Sequence, residues 1–417
     1  MSCRPSLPIA LSLFVASSLL GLASPASAAT GKLRAKKEGA DLVITGTNAG
    51  EGFRLTGAGL GAGQLSLDPD NFTTVNGGSG AVTFSGITGD VKIDLKGGED
   101  AFGIDQATIS GNLDVDGGAG GSAVELTQVG IGGRARLVLG SGDNALRVTT
   151  ITVGHELRIL GGPHDDTILV ESTSSIGGRL FVDLKSGEND LTVRDQTEIS
   201  GDLFFDGGAR VDGVDLESIH VHGNVSLLTS EDGNETDISD CTIDGSLLVL
   251  GGIDDDQVNV FATPVGGALE VLVGDGANEV TIEECSVGAS LFLNTPRGGR
   301  GNDDFKVFET PVTGPIKIAL GKGDNEATVT GPAQIGGLSI RAKNGADQVV
   351  ATGLTIGGSA SLKLKNGKNE VQMTGCSAGG AVAIKTGNGD DVIDVTGTTA
   401  ASGVDVDAGG GANTVTP

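Results

Sequence analysis

The sequence predicts an all-β protein, a parallel β-helix (β-solenoid) of about 22 residues per coil and about fifteen coils. Three observations carry this. First, one position recurs as Asn144, Asp166, Asn189, Asp212, Asn234, Asp256, Asn278, Asp303, Asn325, Asp347, Asn369, Asp391 and Asn413, in steps of 22 or 23 residues with a single step of 25. A fixed period of this size marks a solenoid whose repeats stack on one another. Second, apolar residues alternate on both sides of that position. Leu180, Val182 and Leu184 precede Asn189, and Leu191 and Val193 follow it, which is the pattern of strands with one buried face. Third, each repeat carries one more apolar point (Val153, Ile176, Ile199, Ile243, Val287, Ile335, Ile356), often followed by Gly, whose freedom at positive φ suits a tight turn. Three short strands and three turns account for one repeat.

Stacked coils place equivalent residues about 4.8 Å apart, so the Asn/Asp positions form a column. The column lies in turns reading Gly-Ser-Gly-Asp-Asn (140–144), Gly-Lys-Gly-Asp-Asn (321–325) or Gly-Asn-Gly-Asp-Asp (387–391), where Asn and Asp bond locally and tolerate left-handed backbone. The strict alternation has an electrostatic reading. Two carboxylates about 4.8 Å apart repel by roughly 1 kcal/mol in water and several times that at an effective dielectric near 20. An intervening Asn moves them to about 9.6 Å, roughly a Debye length. Each Asp is then expected to accept hydrogen bonds from the amides above and below it, in the stronger charge-assisted form. The column is thus a structural ladder that holds the coils in register.

Along the chain, residues 1–28 read as a secretory signal. Arg4 supplies the positive end, Ile9 to Leu22 the apolar run, and Ala26-Ser27-Ala28 an A-x-A cleavage site. No later stretch approaches 18 apolar residues, so no membrane insertion is expected. The formal net charge is −27, and removing the leader takes away a further cation. Such acidity argues against nucleic acid and anionic membranes. It suits cations, basic surfaces or solubility. Residues 29–88 read as irregular β structure, with strands at Leu42-Val43-Ile44 and Val82-Thr83-Phe84 and aromatics Phe53, Phe72 and Phe84: early coils plus the cap a solenoid needs. Residues 89–417 read as the regular helix. There Asp100 and then Ser122 fill the column position before the alternation starts at Asn144. The last coil is expected to leave an edge on which another molecule can stack. Cys241, Cys285 and Cys376 each follow a column Asn by seven residues. They share one side, two coils or about 9.6 Å apart at closest, beyond disulfide reach. Three buried, inert thiols are expected.

Several residue groups suggest chemistry. Gly298-Gly299-Arg300-Gly301-Asn302-Asp303-Asp304-Phe305-Lys306 fits the G-G-x-G-x-D-x-U-x nonapeptide of calcium-binding RTX repeats. Residues 386–394 fit in part, and 161–169 and 251–259 keep Gly-Gly and Asp. Asp303, Asp391, Asp256 and Asp166 are therefore calcium candidates, with Asp254, Asp255, Asp304 and Asp390 as auxiliary oxygens. Against this, the RTX motif recurs every nine residues. Here one carboxylate per two coils falls short of the six to eight oxygens calcium takes, and Gly with Asp also serves as turn chemistry. His220-Val221-His222 sets two imidazoles on one strand face, but no third ligand is evident, so they read as outward polar residues. His164-Asp165-Asp166, in a turn, is weaker still as a catalytic pair. The outward second-strand residues (Arg147, Leu169, Thr192, Asp215, Asp237, Asn259, Thr281, Lys306, Thr328, Val350, Gln372, Asp394) form no regular Thr array, which sets ice binding aside.

The turn composition, Asn column and coil length over 89–417 resemble the right-handed β-helix superfamily that includes pectate lyases and polysaccharide hydrolases. The resemblance implies right-handedness and a bacterial exported protein. It is one of fold grammar. Those enzymes build clefts from long loops, whereas here the largest insertion is three residues, around Pro296 to Arg300, and Tyr and Trp are absent. No catalytic triad, phosphate loop or acid pair stands out. The expected role is a non-catalytic rod, secreted, periplasmic or on the cell surface, with a structural or adhesive function toward cell-surface carbohydrate or protein. The alternatives are a calcium-binding β-solenoid using the turn aspartates and a polysaccharide lyase or hydrolase of β-helix type.

Overall fold

The computed structural model describes residues 31–229, 231–295 and 299–417. The leader read at 1–28, Gly298 and the start of the insertion at Pro296 lie outside the described residues. Among the described residues there are strands and no helices, and hence no helix long and apolar enough to cross a membrane.

One coil shows how the sequence makes the fold. Leu269–Leu272 forms the first strand, Glu279–Glu283 the second and Ser286–Val287 the third. The next coil repeats them in parallel register, with Leu269 beside Leu291, Val280 beside Phe305 and Val287 beside Val312. Strand alternation sends Leu269, Val271, Val273, Val280, Ile282, Cys285 and Val287 inward, and each is at most 2 % exposed. Each Val, Leu or Ile so buried contributes about 1.5–3 kcal/mol against exposure. Like sits on like from coil to coil, so the core is one continuous apolar column enclosed by three faces. First-face strands run from Val91–Asp94 to Val404–Asp407, fifteen in all. The third apolar points are fully buried, and all fall in two-residue third-face strands except Ile335, whose strand runs on into the first face as Gln334–Arg341.

The irregular N-terminal region is one further coil with an antiparallel cover. Asp41–Thr45 and Gly52–Thr56 pair in parallel with the first regular coil, Leu42 beside Val91 and Phe53 beside Phe102. The Phe53 and Phe102 rings stack with centroids 5.0 Å apart. The outer edges of these two strands are taken by antiparallel neighbours, Gly31–Glu38 on one and Gln64–Pro69 on the other, with Val82–Ser85 beyond. The switch from parallel to antiparallel ends the stack, so the open backbone groups find partners from their own chain. In the last coil Val404 and Val415 remain 38 % and 45 % exposed.

Cys241, Cys285 and Cys376 are buried and unbridged, and burial pushes the thiols of Cys241 and Cys285 up to about 11. They belong to a second column, at the corner between the second and third strands. There the N–H groups of Cys241, Cys285 and Cys376 donate to Oγ1 of Thr263, Thr310 and Thr398 in the following coils. Cys follows an Asn coil and Thr an Asp coil, always by seven residues.

The residue just before this column is left-handed in coil after coil: Gln128, Thr150, Ser218, Asp240, Ala262, Glu284 and Glu309 have φ of 46–55°. In the last coils the same position is Gly331, Gly353, Gly375 and Gly397. A left-handed L-residue costs roughly 1–2 kcal/mol, and glycine loses about 0.5–1 kcal/mol of that advantage to chain entropy. A Cβ at Gly353 meets nothing closer than 3.6 Å, so backbone strain alone decides. Gly353→Ala is expected to destabilise by about 1 kcal/mol, and Ala262→Gly to stabilise by up to about 1 kcal/mol, as read by chemical denaturation.

Candidate functional site

The Asn/Asp column sits at the corner between the first and second strands. From Ser122 onward, the backbone N–H of each column residue donates to the side-chain oxygen of the column residue in the next coil. The chain of bonds is unbroken from Ser122–Asn144 to Asp391–Asn413, at 2.8–3.4 Å. A second bond runs the same way on alternate steps. Nδ2 of Asn144, Asn234, Asn278, Asn325 and Asn369 donates to Oδ1 of the following Asp at 2.6–3.0 Å. Asn189 differs, giving its Nδ2 to the carbonyls of Gly187 and Gly207.

The ladder therefore has a direction, and this corrects the expectation that each Asp accepts from both neighbours. Of its two neighbours in the column, an Asp receives bonds only from the one in the coil before it. Toward the coil after, its own N–H is the donor. The reason lies in the count of amide protons. The other Nδ2 proton of each Asn is spent on its own turn, on the carbonyl of Gly142, Asp232, Gly276, Gly323 or Gly367, leaving none for the preceding Asp.

The column is closed to solvent. Asp166, Asp212, Asp256, Asp303, Asp347 and Asp391 are at most 2 % exposed. Against the opposing hydrogen bonds from Asn, burial pushes the carboxyls of Asp166 and Asp347 up to about 6 and that of Asp212 to about 7, and raises those of Asp256 and Asp303. Oδ2 of Asp166 and Asp256 accepts from the N–H of Gly162 and Gly252. Oδ2 of Asp212, Asp303, Asp347 and Asp391 is buried without a partner.

The start of the column shows what alternation avoids. Glu51 occupies the column position in the coil before Asp100, and its N–H donates to Asp100 Oδ1 at 2.8 Å. Here two acids are adjacent, and Asp100 is pushed up to about 8 by burial and then by the Glu51 charge. Glu51 Oε1 accepts from the N–H groups of Lys32 and Thr47 and closes the end of the ladder. Ser122 interrupts it, since the Asp100 N–H turns to the Gly121 carbonyl.

The four calcium candidates, Asp166, Asp256, Asp303 and Asp391, are thus interior ladder members, each separated from the next acid by an Asn coil. Of the auxiliary oxygens, Oδ1 of Asp255 and Asp390 accepts a turn N–H from the next coil, that of Ala277 and Ala412. The motif glycine two residues before the column has a packing reason. A Cβ at Gly301, Gly323, Gly345 or Gly367 would lie 1.7–1.9 Å from the carbonyl oxygen of the glycine one coil earlier.

A separate cluster lies on the third face. His220 and His222 do meet a third ligand-type group, Asp244. Its Oδ2 is 3.2 Å from His220 Nε2 and 2.9 Å from His222 Nδ1, while His222 Nε2 faces Glu198 Oε1 at 3.1 Å. Glu198 and then Asp244 hold His222 above its ordinary value as an imidazolium. Both acids lie one 22-residue period from a histidine, Glu198 before His220 and Asp244 after His222, so the repeat itself contained the signal. His164 is exposed, 3.9 Å from Asp143, while its sequence neighbour Asp166 is in the ladder. Also absent from the sequence reading is Glu171, whose side chain is 5 % exposed and clamped by Arg147 and Arg194 of the adjoining coils at 2.6 and 2.7 Å.

Asn278→Leu strips the Nδ2 donor from Asp303 and an acceptor from the Asp256 N–H, each worth about 1–3 kcal/mol when buried, and should lower stability by ~3 kcal/mol or more. Asn278→Asp creates three consecutive carboxyls and should cost more at pH 8 than at pH 5. For Asp212 the proton is held more tightly folded (about 7) than unfolded (3.8), so the folded state binds the extra proton between these values. Stability is fully present below pH 4 and is lost as pH rises through 7. The Tm should fall from pH 5 to pH 8, and Asp212→Asn should reduce that fall.

Comparison of the chain with models of known protein families, with curated proteins and with solved structures returns no match.

Proposed function

We propose that this chain is an exported, non-catalytic rod, a bacterial right-handed β-helix whose strand faces bind cell-surface carbohydrate or protein. The observation that carries this reading is the uniform coil. Fifteen first-face strands follow one another with no described loop long enough to wall a cleft. The shallow groove across the third face, bounded by Pro264, Val287, Pro311, Val312 and Ile335, is lined by no titratable side chain, so it offers no acid or base.

Supporting a binding role, the outward row of the first face carries Arg158, Phe181, Phe204, Ser226, Leu248, Glu270 and Phe292 on successive coils. The Phe181 and Phe204 rings stack at 4.9 Å, and the Arg158 guanidinium lies 4.4 Å from the Phe181 ring. The stacked pair, capped by the Arg158 cation, is an apolar point on this row, and suits the apolar face of a sugar or an apolar protein patch. The second reading is a calcium-dependent rod, favoured by the unpartnered Oδ2 atoms of Asp303 and Asp391.

The test is retention of the purified protein on insoluble polysaccharides and peptidoglycan, with released sugar measured in parallel. Retention without released product, lost in Phe181→Ala/Phe204→Ala, is expected. Released reducing or unsaturated ends would instead make it a polysaccharide enzyme. Thermal unfolding in EDTA and then in millimolar calcium decides the second reading. Binding to the folded state at a hundredfold excess over Kd adds about 2.7 kcal/mol, a rise of several degrees that magnesium should not reproduce.

A further inference from the structure

We propose that the third face carries a surface site for a divalent transition-metal ion of the zinc type, ligated by His220 Nε2, His222 Nδ1 and Asp244 Oδ2 and oriented by Glu198.

The geometry follows from the coil. His220 opens the two-residue strand His220–Val221 and His222 follows it directly, so both imidazoles leave the same face, with ring centroids 4.0 Å apart. Parallel register sets Glu198 beside His220 and Val221 beside Ile243, which puts Asp244 beside His222. The three ligand atoms all lie within 4.8 Å of one another. Ligands about 2.0–2.1 Å from a tetrahedral zinc ion are separated by about 3.3 Å. The two contacts to Asp244, 2.9 and 3.2 Å, are close to that spacing, and the two imidazole nitrogens lie within 4.8 Å of each other. The histidines are 38–40 % exposed and Asp244 49 %, leaving the fourth position to water.

The proton count points the same way. Both ring nitrogens of His222 face carboxylate oxygens, and a neutral imidazole has only one N–H. One contact is met by the N–H of the neutral ring, and the other is met either by the second proton of the imidazolium or by a metal ion that takes that proton's place at Nδ1. The Glu198–His222 contact is the carboxylate–histidine arrangement that fixes the tautomer of metal-bound histidines. Two imidazoles and one carboxylate suit zinc, nickel or copper better than calcium, so this site is independent of the ladder.

Isothermal titration of the untagged protein with zinc chloride at pH 7.5, in excess magnesium, tests this. One zinc per chain is expected, with binding abolished in His220→Ala/His222→Ala and weakened 10–100-fold in Glu198→Gln. Cobalt(II) should give visible d–d absorption in the wild type and none in the double variant, whose unchanged circular dichroism and Tm would show that it is folded. Equal zinc uptake by wild type and double variant would overturn the proposal in favour of diffuse binding to an acidic surface. No uptake by the wild type would overturn it too, leaving a proton as the only occupant.

Discussion

A flat β-sheet satisfies its backbone with its neighbours, but a coil must turn three times, and at each turn backbone groups swing out of the sheet. An N–H left there and buried costs what a lost hydrogen bond costs. This protein answers with the side chain of the adjacent coil at all three corners. Asn and Asp do it at the first. At the second, Thr263, Thr310 and Thr398 accept from cysteine N–H groups. At the third, Asp202 accepts from the Asn224 N–H and Asn224 from that of Ser246. Straight strands supply the apolar core. The corners supply the register, because a coil displaced by one residue would present no acceptor.

The first corner also faces a charge problem, since a column of aspartates would be a buried line of like charge. Alternation with Asn solves it without giving up the acceptor, because Asn and Asp present the same Oδ1 to the N–H behind them. What differs is the other arm. The amide donates forward to the next acid, while the acid's second oxygen either finds a turn N–H, as in Asp166, or remains unpartnered, as in Asp212. The Glu51–Asp100 step, where two acids meet, carries the largest carboxyl shift of the column.

Much of this was legible in the sequence because a solenoid repeats its constraints. The 22-residue column gave the coil length, the period-two alternation gave the faces, and the seven-residue offset put the cysteines on one side, out of reach of one another. What was not legible broke the repeat or depended on hydrogen positions. Glu51 stands 49 residues before Asp100, because an antiparallel excursion is inserted between two coils, so no periodic scan aligns them. The direction of the ladder depends on where each amide proton goes. Asp244 was within reach, since adding one period to His222 lands on it.

The one-way ladder bears on the order in which the molecule is assembled. At the first two corners each coil, once closed, presents outstretched N–H groups toward its C-terminal side and the coil that follows brings the acceptors, while at the third the acceptors already stand in place for the arriving N–H groups. A ribosome delivers the chain in that same order. The freshly laid coil is therefore a finished template, and the arriving segment completes the bonds without any rearrangement of what is already built. The antiparallel cover formed by Gly31–Glu38, Gln64–Pro69 and Val82–Ser85, with Glu51 beneath it, lies toward the end delivered first, so the sealed edge of the stack precedes every coil that is laid on it.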